Sequence, residues 1–420
     1  MTRHDDIAAR RRLRRHSSSA VSALPRWVTP VAVVALVALI GIGAVAVAQT
    51  PLASRLALRT SQSAVSSGAR KLGSGAPAMA AAVETTPSGA ATPSLEATAS
   101  TPATITITAV GDILLDSRPR HMIDAKGPEA PLAKVAARLR STDLTIANLE
   151  STLSNRGAPV KGKPANLIFN GNPKGIGSLS SAGIDVVSTA NNHAMDHGRI
   201  ALADTIAALD KAGIRHAGSG FSITEARAPA YLDVKGRRVA YIAATQIVPA
   251  YFLAGATRAG VADGHDLKHL TATVRAARKK ADIMIVSMHW GREYVYNANA
   301  DQKHDARAVI DAGADMVLAH HPHVLQGIDT YKGKLIAYSL GNFFFPYKGA
   351  PGRESFILRF EYGPSGVSNI TATPIYLGAM GEPIVQTGAR ARTILGKLSS
   401  ASKSMGTEVT IKNGIGYIKP

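Results

Sequence analysis

Five stretches of the chain run from apolar residues straight into side chains that can bind metal ions. ITITAVGD ends in Asp112, LTIANLE carries Asn148 and Glu150, and IDVVSTANNH ends in Asn191, Asn192 and His193. IMIVSMHWG carries His289, and MVLAHHPH ends in His320, His321 and His323. Each apolar run reads as a buried strand. Sites in α/β sheets form beyond the carboxyl ends of the strands. If these strands are parallel neighbours, all five groups meet on one rim. Carboxylates can bridge two cations, and neutral imidazoles with an amide oxygen complete the shells. Two divalent ions about 4 Å apart clamp a phosphate-like group and generate a hydroxide nucleophile at neutral pH. The chain has no cysteine, so thiolate sites and disulfides are excluded. A mixed oxygen and nitrogen donor set suits manganese, iron or zinc.

Taken singly, each group has a plainer use. An Asp after a strand is usually a turn or cap residue, and Asn192 could sit in a left-handed turn. His289, beside Trp290, could be a packed core histidine, and Glu150 could be a surface charge. The H-x-H of His321 and His323 is a stronger signal, because alternate residues of a strand face the same side. Five such groups in order, each at a strand end, favour the joint metal site.

The elements that must position these groups can be read from periodicity. From Thr104, strand-like runs alternate with helical ones such as PLAKVAARLRSTD, GRIALADTIAALDKAG (stopped by Gly213) and KHDARAVIDAG. That alternation predicts an α/β sheet with helices on its faces. A late run of strands, SFILRFEYG and SNITATPIYLG, predicts a second sheet packed on the first.

Upstream, the arginine-rich residues 1–26 precede a gap without charge from Arg26 to Arg55. Residues 28–48, VTPVAVVALVALIGIGAVAVA, match the ~20 apolar residues that a membrane span needs, and the arginine cluster before them places the N-terminus in the cytoplasm. The layout expected is a cytoplasmic tail 1–26, a transmembrane anchor 27–49, a disordered Ala/Ser/Thr/Pro-rich linker 50–103, a folded domain 104–380 and an extension 381–420. AVA at 46–48 could instead serve as a signal cleavage site, which would release the protein. The linker lacks the large apolar groups needed to offset chain entropy. The formal charge of +19 suits a partner among acidic envelope polymers or membrane headgroups. No recognised nucleic-acid module is present and aromatics are few, so no nucleic-acid partner is expected.

The stretches AVGDILLD, ANLEST, STANNHAMDHG, SMHWGREY, DAGADMVLAHHPHVLQG and YSLGNFFF resemble the CapA proteins, the poly-γ-glutamate capsule biosynthesis family. That family is similar in fold to the calcineurin-like metallophosphoesterases, so the resemblance implies a metallophosphoesterase-like αββα sandwich. It spans about Thr104 to Phe345, in the family's motif order. It implies that Asp112 is the first-strand metal ligand, that Glu150 is the bridging carboxylate with Asn148 beside it, and that Asn192, His289, His321 and His323 complete two metal sites. His193 matches the transition-state histidine of the Gly-Asn-His motif. Asp196 either orients His193 or caps the following helix, and the cap reading is preferred. His320 is extra and is placed behind the ligands.

The sequence also departs from the metallophosphoesterase pattern. The first motif is Asp-x-His, but Leu114 stands where the histidine would be, and Asn-Leu-Glu replaces the second motif's Gly-Asp. Ala147 and Ala319 stand at usual glycine positions. The loss of one histidine implies a weaker metal and an altered activity. Residues 291–303 are expected to overhang the site, with Arg292 and Glu293 against substrate. Tyr338, Ser339, Gly341 and Asn342 are expected at the rim.

The function expected is that of an extracytoplasmic accessory protein of anionic polymer assembly built on a dinuclear-metal hydrolase fold, with membrane polymer-synthase subunits as possible partners. The rival is a non-catalytic polymer or synthase binder that uses basic residues such as Arg275, Arg278, Lys279 and Lys280, although these also read as a solvated helix face. A second rival is a phosphatase or phosphodiesterase acting on phosphate-containing small molecules of the envelope.

Overall fold

The computed structural model describes residues 102–347 and 349–419. The expected tail, anchor and nearly all of the linker lie outside the described residues. Among the described residues, no helix is long and apolar enough to cross a membrane.

Two sheets pack face to face. The first is built around four parallel strands in the order Ile105–Ile113, Leu144–Leu149, Val186–Ser188 and Arg215–Ala217. The second has a parallel core of Arg237–Thr245, Ile283–His289, Met316–His320 and Lys334–Ala337. Antiparallel strands Ala230–Val234 and Ile328–Tyr331 flank that core. The alternation of side chains explains the layering. Ile105, Ile107 and Ala109 join Ile283, Ile285, Met316 and Leu318 in the core between the sheets. Val110, Ile113 and Leu149 face outward, onto Val135, Leu139 and Leu179 of helices. Across the second sheet, Met284, Val286 and Val317 meet Leu270, Val274 and Val309 of the helices Leu267–Arg278 and Ala300–Asp311. The result is the αββα sandwich.

Two expectations about the sheets are corrected. The late strands do not build the second sheet. Glu354–Gly363, Gly366–Leu377 and the hairpin Glu408–Lys412/Ile415–Lys419 extend the first sheet in antiparallel fashion from the edge of Ile105–Ile113. The segment after 381 therefore continues this sheet, and its helix Gly388–Lys403 adds Ile394, Leu395 and Leu398 to the core between the sheets. Hairpin-length connections such as the turn before Gly366 permit only antiparallel pairing, and the helix Gly388–Lys403 carries the chain over so that Ile415–Lys419 pairs with Gly366–Leu377 and Glu408–Lys412 lies outermost. The five ligand-bearing strands are likewise not neighbours in one sheet. Three lie in the first and two in the second, and the parallel cores of the two sheets bring their carboxyl ends to one rim.

One glycine is needed for this join. A Cβ on Gly111 would sit 1.8 Å from the carbonyl oxygen of Gly341. The close approach lets Asp112 N donate to Gly341 O at 2.9 Å and lets Asn342–Phe344 pair in parallel with the end of the first strand. The register of the first strand slips between Ala109 and Asp112, next to the site.

Candidate metal centre

Asp112 and Glu150 are fully buried beside each other, held by one amide. Asn148 Nδ2 donates to Asp112 Oδ1 at 2.9 Å and to Glu150 Oε2 at 3.2 Å. Asn148 Oδ1 in turn accepts from Asn191 Nδ2 at 3.0 Å. Asn191 also donates to Leu149 O at 2.8 Å and accepts from the backbone N–H of His193 at 3.0 Å. Asn148 and Asn191 thus spend their polar atoms holding the carboxylates and the turn after Val186–Ser188.

The free oxygen of Glu150 faces the histidines. Glu150 Oε1 has no hydrogen-bond partner and lies 3.7 Å from His289 Nε2 and 3.8 Å from His323 Nε2. Ligand atoms of Glu150, His321 and His323 lie within 4.8 Å of one another, and so do those of Asp112, Glu150 and His289. Glu150 belongs to both groups, the placement of a carboxylate shared by two ions. Asn192 Oδ1 lies 2.9 Å from His289 Nε2, on the same side. His323 Nδ1 is 2.8 Å from Asn342 Oδ1 and 3.5 Å from Asp112 Oδ2.

The protonation pattern also fits a cation. Burial and the charge of Asp112 push Glu150 well above the usual carboxylate range. Burial pushes Asp112 up too, but the rings of His320 and His323 outweigh it and hold Asp112 well below its ordinary value. Burial drives His289 well down and His321 to about 3, with neighbouring imidazoles adding to the effect, so both rings are neutral at physiological pH. Burial also pulls on His323, but the Asp112 carboxylate reverses the shift and leaves it raised. Two adjacent buried carboxyls cannot both ionise without a compensating charge. Besides Glu150 Oε1, buried ring nitrogens of His289, His320 and His321 lack any hydrogen-bond partner. Native interiors rarely leave such groups unsatisfied. The donor set fits divalent cations held by Asp112, Glu150, Asn192, His289, His321 and His323.

The route by which His321 and His323 reach the site differs from the expectation. The strand ends at His320. His321 and His323 follow in a loop with left-handed φ of 96° and 55°, so strand alternation does not explain why they converge. Positive φ in non-glycine residues is costly and is held only where the surroundings impose it. Here the rings are packed, His321 against His289 at 4.9 Å and His323 against Phe345 at 4.8 Å between centroids.

Asp196 is also corrected. It is not a helix cap, since the helix Gly198–Lys211 starts from His197 without a side-chain cap. Its carboxylate is buried and accepts from His193 Nδ1 at 2.7 Å through Oδ2, from Phe169 N at 2.9 Å, and from Lys163 Nζ through Oδ1. Burial lowers the pKa of His193 against the opposing pull of Asp196, and Lys163 lowers it further. Lys163 also donates to Asn192 O at 2.8 Å. Sequence reasoning missed this lysine, because it stands in a Gly/Pro-rich loop with no local pattern to mark it. Phe169, whose ring lies 4.6 Å from that of His193, was missed for the same reason.

The 291–303 segment does reach the site. Tyr294 N donates to Pro322 O at 2.8 Å, and its ring lies 6.3 Å from that of His323. Glu293 is exposed and adds negative charge near Glu150 and His323. Arg292 is exposed on the same turn. Of the residues expected at the rim, Asn342 contacts the site, but Tyr338 and Ser339 are buried. Tyr338 packs beneath Trp290, and Ser339 donates to Val324 O at 2.8 Å. In the basic helix, Arg278 is tied to Asp315 at 2.6 Å rather than projecting into solvent.

The profile of the bacterial capsule synthesis proteins, PGA_cap, matches residues 106–347. The chain belongs to that family. It is 30% identical over 295 residues to the PGA biosynthesis protein CapA of Bacillus subtilis (strain 168), covering 70% of this chain and 77% of the relative. The capsule biosynthesis protein CapA of Bacillus anthracis is 29% identical over 275 residues, covering 64% and 67%. A probable polyglutamine synthesis accessory protein of Mycobacterium tuberculosis (strain ATCC 25618 / H37Rv) is 35% identical over 226 residues, covering 51% and 59%. Among solved structures, the NAD nucleotidase of Haemophilus influenzae aligns at 11% identity and a TM-score of 0.37, covering 71% of this chain and 63% of that one. A putative 5'-nucleotidase from Staphylococcus aureus aligns at 14% and 0.38, covering 68% and 53%. Both structural likenesses are distant. Every group named above falls within the matched region of this family.

Proposed function

We propose that this PGA_cap protein is a metal-dependent hydrolase of envelope polymer assembly, anchored by residues 27–49 and acting outside the cytoplasm on poly-γ-glutamate or a related anionic polymer. The observation that carries the catalytic reading is Glu150 Oε1, an unpartnered buried carboxylate oxygen facing His289 and His323. Bound divalent ions would supply Lewis acidity and activate water at neutral pH. Asp112, Glu150, Asn192, His289, His321 and His323 would hold them.

The protein's own residues do the rest. Asn148 fixes the spacing of the two carboxylates. Asp196 accepts from Nδ1 of His193 and so leaves Nε2 free to face the reacting group. An imidazole held in this way can donate a hydrogen bond or a proton to a leaving group. Lys163 and Phe169 N neutralise and orient Asp196, so the dyad is set before substrate arrives. Tyr294 and Glu293 border the entrance. A groove of about 620 Å³ elsewhere on the domain is lined by Tyr296, Asn297, Arg392 and Lys397, the last of them paired with Glu354.

The reading is tested with the manganese-loaded full-length protein, given poly-γ-glutamate and, separately, aryl phosphate mono- and diesters. Polymer shortening on a gel, abolished by Asp112→Ala, supports it. Ester turnover without polymer shortening identifies an envelope phosphoesterase instead. Polymer binding without turnover of either substrate identifies a non-catalytic accessory protein.

A further inference from the structure

If two ions sit here as argued under the proposed function, Glu150, His321 and His323 form one group and Asp112, Glu150 and His289 the other. Leu114 stands where a histidine two residues after the first-motif aspartate would be. Leu114 is buried in the apolar layer between the first sheet and its helices and offers no donor.

His320 stands beside the Asp112 position. It ends the strand Met316–His320 and pairs in register with His289 on the neighbouring parallel strand. Residues paired in this way project to the same face of the sheet. Its Nδ1 lies 3.2 Å from Asp112 Oδ1. That contact lacks hydrogen-bond geometry, and both ring nitrogens are buried without a partner. Asp112 Oδ1 already accepts from Asn148 Nδ2, so its orientation is fixed independently of His320. Two ligand atoms each about 2.1 Å from one ion and at right angles to each other are about 3.0 Å apart. The observed spacing is that of two neighbouring ligands on one ion, and native interiors rarely leave both nitrogens of a wholly buried imidazole without a hydrogen-bond partner.

We propose that His320 is a metal ligand, binding the ion held by Asp112 and making up from the second sheet the histidine that the first strand lacks. With His320, the position of Asp112, Glu150 and His289 has four protein ligands. The ion beside Asp112 is as firmly held as its neighbour, contrary to the weak binding that the departure at Leu114 implies.

The test compares the full-length wild type with His320→Ala and His320→Gln, by manganese and zinc titration calorimetry, by elemental analysis after dialysis, and by the visible absorption of the cobalt-loaded protein. Glutamine keeps an N–H that can reach Asp112 but is a poor ligand. The expected result is two tight ions in the wild type and one in each variant. The lost site weakens by more than about 100-fold, beyond the 10–100-fold that losing an outer partner costs, and the cobalt spectrum loses one component. Two ions retained in either variant with no site weakened beyond about 100-fold overturns this proposal and leaves the two-metal reading intact, since losing an outer partner costs that much. No metal in the wild type overturns both. Both variants should fold as the metal-free wild type does by circular dichroism, and misfolding of both would assign His320 a structural role and overturn the proposal.

Discussion

His193 Nδ1 and Asp196 Oδ2 are hydrogen-bonded at 2.7 Å, both buried, three residues apart on the turn that follows Val186–Ser188. This fixes which imidazole nitrogen is left for chemistry. His193→Ala should lower turnover by about 10²–10⁴, the usual worth of a positioned acid or base, while leaving metal content unchanged. Steady-state rates beside elemental analysis check it. A parallel loss of metal would place His193 among the ligands instead.

Burial lowers the pKa of His193, and Lys163 adds to that shift. Its ammonium touches both members of the His193 and Asp196 pair and disfavours a second positive charge on the ring. Lys163→Met should therefore raise the pKa of His193, seen as a shift of its Cε1–H proton resonance titration to higher pH. An unchanged or lowered midpoint would contradict the account.

Metal loading should release protons. Burial and the Asp112 charge hold the Glu150 carboxyl protonated above the usual range, and the Asp112 carboxylate, working against burial, keeps His323 protonated above its own. A ligand must shed its proton to bind. Near pH 5 an ordinary glutamate, with a pKa of about 4.3, would be mostly ionised and release little. Glu150 should release close to one proton, and His323 should add a second. Calorimetry in buffers of different ionisation enthalpy measures the number. Glu150→Gln should reduce it by about one and weaken binding.

The join at Gly111 should be intolerant of any side chain. Its Cβ would meet the backbone oxygen of Gly341 and not a movable side chain. Gly111→Ala should cost about 3 kcal/mol, at the upper end of overpacking effects, and should loosen the Asp112 ligand. A denaturant midpoint within error of wild type would contradict the close approach.

Much of the site was legible because its ligands stand where apolar runs stop. Asp112, Glu150 and His289 lie within one residue of the ends of Ile105–Ile113, Leu144–Leu149 and Ile283–His289. Period and strand-end chemistry suffice for such residues. The loop residues were not legible in this way. His321 and His323 have the right identity, but their direction comes from left-handed backbone around Pro322 and not from strand alternation. Lys163 reaches His193 across 30 positions of sequence with no periodic signal. The assignment of late strands to a second sheet failed because alternation tells which face of a strand is buried, not which edge it joins. The edge of Ile105–Ile113 was open, and Glu354–Gly363 filled it in antiparallel fashion.

The central claim is that the buried carboxylates and imidazoles hold two divalent ions. Its most direct test is elemental analysis of the full-length protein after reconstitution with manganese, zinc or iron, beside a His321→Ala, His323→Ala double variant. The account predicts about two ions per chain in the wild type and, in the variant, loss of the tight site that His321 and His323 share with Glu150. A wild type that takes up no ion from any of the three metals would contradict it.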